Sequence, residues 1–113
     1  PMLAEDIGIE ERVSRWLWAY SPPLSRREIA KLIAMSERNL TRQLNAAGTS
    51  YSELLARVQS ERAGNLLRKR ELSVSEVGYR LGYAEPAAFS RAFKRWTGQS
   101  PLEWRQAHLD RHR

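Results

Sequence analysis

Two short stretches of this 113-residue chain place arginine beside small or polar residues at helical spacing. One outward face carries Arg38, Thr41, Arg42 and Asn45, and the other carries Ala87, Ser90, Arg91 and Lys94, flanked by Pro86 and Arg95. A guanidinium group forms bidentate hydrogen bonds with phosphate and with the edge of guanine. The two faces therefore indicate an anionic partner that offers hydrogen-bond acceptors. The alternative is that each face is only a solvated helix surface.

Other kinds of chemistry find little support in the residues. The chain has no cysteine, so neither disulfides nor thiolate metal sites are available. His108 and His112 have the i, i+4 spacing of a shared metal site, but a convincing third ligand is absent from the sequence. The sequence offers no nucleophile and base pair and no glycine-rich phosphate loop. We therefore expect no metal, no cofactor and no enzymatic activity.

The net charge of +6 is unevenly distributed. Residues 1–56 carry seven basic and seven acidic groups, whereas residues 57–113 carry twelve basic and six acidic groups. The whole excess therefore lies in the second half. Sixteen of the 19 basic residues are arginine, the type suited to bidentate contacts with nucleic acid. Charge alone leaves a solvated arginine-rich surface equally open, so the choice depends on the pattern of the chain.

That pattern is an internal repeat, in which residues 24–50 resemble residues 72–100. Matching pairs at an offset of 48 are Leu24/Leu72, Ser25/Ser73, Glu28/Glu76, Ile29/Val77 and Ile33/Leu81. Pairs at 49 are Leu40/Phe89, Thr41/Ser90, Arg42/Arg91 and Leu44/Phe93, and pairs at 50 are Gly48/Gly98 and Ser50/Ser100. A repeat of this length indicates two copies of one supersecondary unit.

Capping signals give the helix starts. Four serines are followed three residues later by glutamate, the capping-box pattern: Ser25/Glu28, Ser50/Glu53, Ser73/Glu76 and Ser100/Glu103. The first repeat is predicted to contain helices at 26–33 and 37–47, with a turn at Ala34-Met35. The second is predicted to contain helices at 74–81 and 85–97, with a turn at Gly82. Two short helices across a tight turn form a helix-turn-helix unit, although an ordinary helical hairpin remains an alternative.

Apolar periodicity predicts which sides of these helices are buried. The first repeat should bury Ile29, Leu32, Ile33, Leu40, Leu44 and Ala47, and the second should bury Val77, Leu81, Phe89, Phe93 and Trp96. A helix at 50–69 links a first lobe, residues 1–49, to a second lobe, residues 70–113, and Gly64 within it should let another helix approach closely. A first helix from Ile9 to Tyr20 and a last one carrying Leu102 and Trp104 complete an all-α chain.

The run GYAEPAAFSRAFKRWTGQSPLEWR, preceded by SVSEVGYRL, resembles the second helix-turn-helix of the AraC/XylS family of bacterial transcription regulators. The resemblance covers residues 24–105 and is most specific in its second half. It implies an all-α fold of about seven helices, with two helix-turn-helix units joined by a long helix. It also implies attachment to an effector-binding or dimerisation domain. RNA polymerase is an expected partner, the expected role is that of an activator, and the expected location is the cytoplasm, associated with the nucleoid.

The resemblance also implies roles for individual residues. The base-reading positions of the family fall on Arg38, Thr41, Arg42, Pro86, Ala87, Ser90 and Arg91. Phosphate contacts are expected from Asn45, Arg80, Lys94 and Arg95. Ala84 departs from the capping serine or acidic residue often found before the second recognition helix. Because Pro86 and Ala87 offer few hydrogen bonds, readout in that repeat should depend mainly on Ser90 and Arg91.

The expected function is therefore sequence-specific binding of double-stranded DNA, with residues 37–47 and 85–97 in successive major grooves. A linker helix from Tyr51 to Arg68 would span about 27 Å, which is compatible with grooves about 34 Å apart. Two alternatives remain open at this stage: a helical protein-interaction module and a non-specific DNA-binding protein.

Overall fold

The computed structural model describes residues 7–109, and within them the chain forms seven helices and no strand. The helices are α1 (Ile9–Ala19), α2 (Arg26–Leu32), α3 (Glu37–Ala46), α4 (Tyr51–Leu67), α5 (Val74–Arg80), α6 (Pro86–Thr97) and α7 (Pro101–Leu109). The all-α prediction is confirmed. The predicted short helices each extended one residue too far, because Ile33, Ala47, Leu81 and Glu85 are caps rather than helical positions. The linker helix was predicted three residues too long, since it begins at Tyr51 and ends at Leu67.

The chain divides into two compact units, one ending at Val58 and the other beginning at Gln59. The boundary falls inside α4, so each unit contains part of that helix together with one pair of short helices. The first unit holds α2 and α3, and the second holds α5 and α6.

The first unit has an aliphatic core. Its fully buried members include Val13 and Leu17 of α1, Ile29 of α2 and Leu40 of α3. The first half of α4 contributes to the same core through Leu54 and Val58. The stripes of apolar residues read from the sequence therefore meet in one cluster.

The second unit has an aromatic core. Phe89 and Phe93 of α6 are fully buried, and their ring centroids lie 5.8 Å apart. Trp104 of α7 meets Phe93 edge-on, with centroids 6.0 Å apart and an interplanar angle of 89°. Such edge-to-face pairs add stabilisation beyond the area that they bury. Trp96 is only half-buried, but it packs against the same cluster.

Gly64 of α4 lies where the sequence suggested a close approach between helices. A Cβ atom at this position would lie 3.1 Å from two ring atoms of Trp104. This distance leaves no room for a side chain without movement of the indole. The close approach predicted at Gly64 is therefore confirmed, and the partner is α7.

Arg105 of α7 connects the end of α4 to the segment that leads into α5. Its guanidinium donates hydrogen bonds to the carbonyl oxygens of Leu67, Lys69 and Leu72, at 2.7, 3.2 and 2.6 Å. These carbonyls lie at and after the end of α4, where the helix itself provides no donors. Arg105 thereby fixes the path by which the chain enters the second pair of short helices.

Two predicted core residues, Leu32 and Ala47, are exposed, and so is Leu102 of the last helix. Leu32 is 49% exposed, because the buried arc of α2 runs from Ile29 through Ala30 to Ile33 and excludes it. Ala47 is exposed because α3 ends at Ala46, which leaves Ala47 as the C-cap. Leu102 is 55% exposed, since its neighbour Pro101 takes the inward position at the start of α7.

The four predicted capping serines all accept a hydrogen bond from the backbone N–H three residues later. Three of them form complete capping boxes, in which the glutamate also accepts from the serine N–H: Ser25, Ser73 and Ser100. Ser50 differs, because the carboxylate of Glu53 accepts from the hydroxyl of Thr49 at 3.2 Å. The predicted fourth box is therefore only half correct.

Candidate nucleic-acid interface

The turn between α2 and α3 is built by a left-handed residue. Ala34 has a φ of 57°, and the following Met35 donates its N–H to the carbonyl of Ala30 at 2.9 Å. Ser36 then starts α3 by accepting a hydrogen bond from the N–H of Asn39 at 3.0 Å. Local backbone chemistry thus determines where α3 begins and how it leaves the turn.

The two faces of α3 differ in burial. Leu40 and Leu44 are fully buried in the core of the first unit. Four predicted DNA contacts lie on the rest of the helix and line one open depression: Arg38, Thr41, Arg42 and Asn45. Thr41 is half-buried and the other three are exposed. The structure therefore brings the predicted residues of the first repeat together.

Two residues that line this depression, Arg26 and Glu37, were missed from the sequence, and so was Asn39, which contacts Arg42. Arg26 of α2 lines the same depression, and its Nε lies 3.3 Å from the Oε1 atom of Glu37. Asn39 accepts a hydrogen bond from the Nη2 atom of Arg42 at 2.6 Å. The i, i+3 spacing of Asn39 and Arg42 was a usable signal. The pair formed by Arg26 and Glu37 joins different helices and left no such signal.

The turn between α5 and α6 repeats the first turn with glycine in the left-handed position. Gly82 has a φ of 99°, and Tyr83 donates its N–H to the carbonyl of Gly78 at 3.0 Å. Helix α6 begins differently from α3. Its N-cap Glu85 makes no side-chain capping bond, and Pro86 occupies the first turn, where a missing N–H is tolerated.

Helix α6 also has one buried and one basic face. Phe89, Ala92 and Phe93 are buried, while Arg91, Lys94 and Arg95 are exposed and line a shallow depression. The other predicted positions of the second repeat are the exposed Ala87 and Arg80 and the half-buried Pro86 and Ser90. Arg80 is the last residue of α5, outside the recognition helix.

The outward face of α3 carries one acidic side chain, Glu37, beside Arg38 and Arg42, and this carboxylate pairs with Arg26. The hydrogen bond from the backbone N–H of Ser25 lowers the pKa of the Glu28 carboxyl below its ordinary value, and the Ser25 hydroxyl lowers it further by a smaller amount. Burial raises the pKa of Tyr83, which lies beside Phe89 in the second unit. Neither effect introduces a new negative charge on the outward faces of α3 and α6.

No group of three metal-ligating side chains occurs among residues 7–109. The ring of His108 stacks on Trp104, and its Nδ1 atom lies 2.8 Å from the Trp104 carbonyl. His112, the second residue of the considered metal pair, lies outside the described residues. Within those residues no helix is long and apolar enough to cross a bilayer.

Comparisons with known proteins agree with this architecture. A family model described as a helix-turn-helix domain matches residues 29–107. The HTH-type transcriptional regulator VqsM of Pseudomonas aeruginosa is 40% identical over 78 residues, which are 69% of this chain and 24% of VqsM. The chain spans about a quarter of the length of the curated relatives it matches.

Two solved structures show the same fold. The transcriptional regulator CdpR from Pseudomonas aeruginosa has a TM-score of 0.81 at 38% identity, covering 88% of this chain and 32% of CdpR. The DNA-binding domain of AdpA in complex with a target DNA has a TM-score of 0.77 at 26% identity, covering 93% and 96%. The chain therefore belongs to the AraC/XylS family of transcription regulators and corresponds to their helix-turn-helix DNA-binding domain.

Proposed function

We propose that this domain reads double-stranded DNA with α3 and α6, each lying in a major groove. The observation that supports the proposal is that both helices are amphipathic in the same way. Each buries apolar side chains in its own unit and exposes arginine on the opposite face. The major groove admits an α-helix and shows a different hydrogen-bond pattern for each base pair. Two such helices provide two separate readers.

The proposed base contacts are the positions that the family resemblance implies, and side-chain chemistry suggests what each could bind. Arginine pairs best with the O6 and N7 acceptors of guanine, threonine and serine bond to several bases, and alanine contacts the thymine methyl group. On α3 these roles go to Arg38, Thr41 and Arg42, and on α6 they go to Pro86, Ala87, Ser90 and Arg91. Because Pro86 and Ala87 lack polar side chains, α6 should depend more on its single arginine.

Three of the proposed phosphate contacts lie on α3 and α6 themselves, and the fourth, Arg80, is the last residue of α5. They are Asn45, Arg80, Lys94 and Arg95, all exposed. Contacts to phosphate fix the position of a protein on DNA and supply affinity, but they carry no direct sequence information. Displaced counterions make that affinity strongly dependent on salt.

The rest of the regulator is also a matter of proposal. We propose that the domain acts within a longer cytoplasmic protein that carries an effector-binding or dimerisation domain. In that context it would bring the regulator to the nucleoid, where an activator contacts RNA polymerase. The length of the relatives supports this proposal, since the chain matches 22% to 30% of their length. Transcription from a template carrying the selected site, with and without the regulator, tests it.

The direct test begins with selection of bound sites from random double-stranded DNA, followed by footprints of Arg42→Ala, Arg91→Ala and Lys94→Ala. Each arginine variant should lose about 1 to 3 kcal/mol at the preferred site and relax preference at one or two base pairs. The base pairs affected by Arg42→Ala and those affected by Arg91→Ala should lie about 10 base pairs apart. Lys94→Ala should weaken binding to all sequences equally and lower the salt slope by about one.

Three outcomes would contradict the proposal. If both arginine variants disturb the same base pairs, or Arg42→Ala disturbs none, two separate readers do not exist. If unrelated DNA competes as well as the selected site, binding is non-specific. If the six cationic side chains proposed at the DNA (Arg38, Arg42, Arg80, Arg91, Lys94 and Arg95) each displace about one counterion, affinity should fall about a thousandfold between 50 and 200 mM salt. A flat response would favour a protein-interaction module.

A further inference from the structure

The outward face of α3 contains a hydrogen bond that α6 lacks. The Nη2 atom of Arg42 donates to the Oδ1 atom of Asn39 over 2.6 Å. A charged donor makes such a bond shorter and stronger than one between neutral groups. Arg42 is otherwise exposed, so this contact restrains a guanidinium that would move freely in solvent.

Asn39 is itself well placed to act as a fixed support. Its backbone N–H donates to the Ser36 hydroxyl at 3.0 Å, which holds it in the first turn of α3. Its side chain is half-buried, and Leu40 next to it is fully buried. The Asn39 amide oxygen is therefore attached to the most constrained part of the helix, one turn before Arg42.

We infer that Asn39 is a positioning residue, which holds Arg42 in the orientation that reads DNA and so sharpens base preference in the first repeat. This inference rests on the proposed role of Arg42 as a base reader. An arginine has five N–H donors, and one bond to Asn39 leaves four for a guanine edge. A guanidinium that is already oriented loses less conformational freedom on binding, which favours the bound state.

The second repeat provides a natural comparison. At the repeat offset of 49, the counterpart of Arg42 is Arg91, and the counterpart of Asn39 is Ala88. Alanine has no acceptor to offer, and among the described residues Arg91 forms no side-chain hydrogen bond or ion pair. The two arginines therefore occupy equivalent positions, but only Arg42 has a side-chain partner within the described part of the chain. One substitution can remove that partner from the first repeat, and another can add one to the second.

The first test removes the support. Asn39→Ala should weaken binding at the selected site roughly two- to tenfold, the cost of ordering one long side chain. Preference at the base pair read by Arg42 should fall by a similar factor. Binding to unrelated DNA and the salt slope should not change. The melting temperature serves as the folding control, because the Ser36 cap bonds to the backbone of Asn39 and survives the substitution.

A double-mutant cycle separates positioning from direct contact. In an Arg42→Ala background, Asn39→Ala should have no further effect, because Asn39 acts only through Arg42. A loss that persists in that background would overturn the inference and show that Asn39 contacts DNA itself. Unchanged or tighter binding by Asn39→Ala alone would also overturn it. If instead Arg42→Ala has no effect, the proposed function of the first repeat fails, and the inference fails with it.

The second test adds the support to the other repeat. Ala88→Asn places an amide three residues before Arg91, reproducing the spacing found in α3. Preference at the base pair read by Arg91 should rise by roughly two- to tenfold, while the base pair read by Arg42 stays unchanged. A uniform change across all sequences would count against positioning, since it would show that the new amide contacts the DNA backbone.

Discussion

The two pairs of short helices pack differently, although their residues align as a repeat. In the first unit, Ala30 of α2 is buried with Leu40 of α3. At the equivalent positions, the second unit has Gly78 of α5 and Phe89 of α6. A Cβ atom on Gly78 would lie 3.0 Å from the Cβ atom of Phe89. The smaller residue on one helix therefore accompanies the larger residue on the other.

The turns show a second exchange of this kind. Ala34 and Gly82 are equivalent, and both adopt positive φ angles, 57° and 99°. Glycine adopts this region at no steric cost, whereas alanine brings its Cβ atom too close to the following carbonyl. The first unit therefore tolerates strain that the second avoids.

These exchanges show which features of the repeat are essential. Both units need a left-handed residue at the turn, a close contact between short helices and a basic outward face. They satisfy these needs with different residues, so the backbone requirement is shared while the side chains are not. Substitutions that convert one unit into the other measure how far the two solutions are independent.

The largest expected effect is in the aromatic core. Phe93→Ala should lower the free energy of unfolding of the second unit by about 3 to 5 kcal/mol, and the equivalent Leu44→Ala should cost the first unit about 2 to 5 kcal/mol. Both side chains are fully buried. Chemical denaturation followed by tryptophan fluorescence measures the change, with the exposed Leu102→Ala as control. An unchanged midpoint for Phe93→Ala would show that the buried face of α6 is assigned wrongly.

A smaller loss is expected from giving α5 the residue of α2. Gly78→Ala places a methyl group against Phe89, which is fully buried and cannot easily move. Overpacking costs about 1 to 3 kcal/mol, and better helix propensity returns at most about 1 kcal/mol. We expect a net loss of about 1 kcal/mol in thermal or chemical denaturation. A stabilised variant would show that the contact between α5 and α6 relaxes freely.

The turns should respond in opposite directions. Gly82→Ala should destabilise the second unit by about 1 kcal/mol, because alanine pays for the left-handed conformation. Ala34→Gly should relieve that cost in the first unit and stabilise it by less than about 1 kcal/mol, since glycine also adds freedom to the unfolded chain. Melting temperatures of the two single variants provide the measurement. Changes of the same sign would argue against equivalent turns.

The smallest expected effect is a loss of folding stability at acidic pH. The pKa values of Glu28 and Glu103 lie below the ordinary 4.5. The main cause is the hydrogen bond from the backbone N–H of Ser25 or Ser100, and the serine hydroxyl has a smaller effect in the same direction. A lowered pKa contributes stability that is present above the unfolded value and is lost as pH falls through the folded value. Stability should therefore decrease below about pH 4.5.

Glutamine variants assign that acid sensitivity to each unit. Glu28→Gln should flatten the pH dependence of the first unit, and Glu103→Gln should flatten that of the second. Each glutamate belongs to a capping box with its serine, so both variants keep an uncharged hydrogen-bonding side chain. Denaturation midpoints between pH 3 and 7 provide the measurement. An acid profile identical to that of the unmodified chain would show that these carboxylates do not couple to folding.

Much of the architecture is determined by local interactions and can be predicted from the sequence. The capping serines mark helix starts because a short polar side chain satisfies amides that the helix leaves unpaired. Gly82 marks its turn because glycine adopts positive φ freely. The basic faces of α3 and α6 follow from helical periodicity opposite Leu40, Leu44, Phe89 and Phe93. Each of these signals acts within a few residues, which is why the sequence alone reveals it.

The remaining features depend on contacts between elements. The exposure of Leu32 was not predictable, because an apolar residue at the edge of a buried stripe is covered only if a neighbour reaches it. The contact of Gly64 with Trp104 could be expected in kind, but its partner lies 40 residues away and was identified only by the fold. The ion pair of Arg26 with Glu37 likewise depends on how α2 and α3 meet. Distances between separate helices arise from packing, so only the tertiary structure decides them.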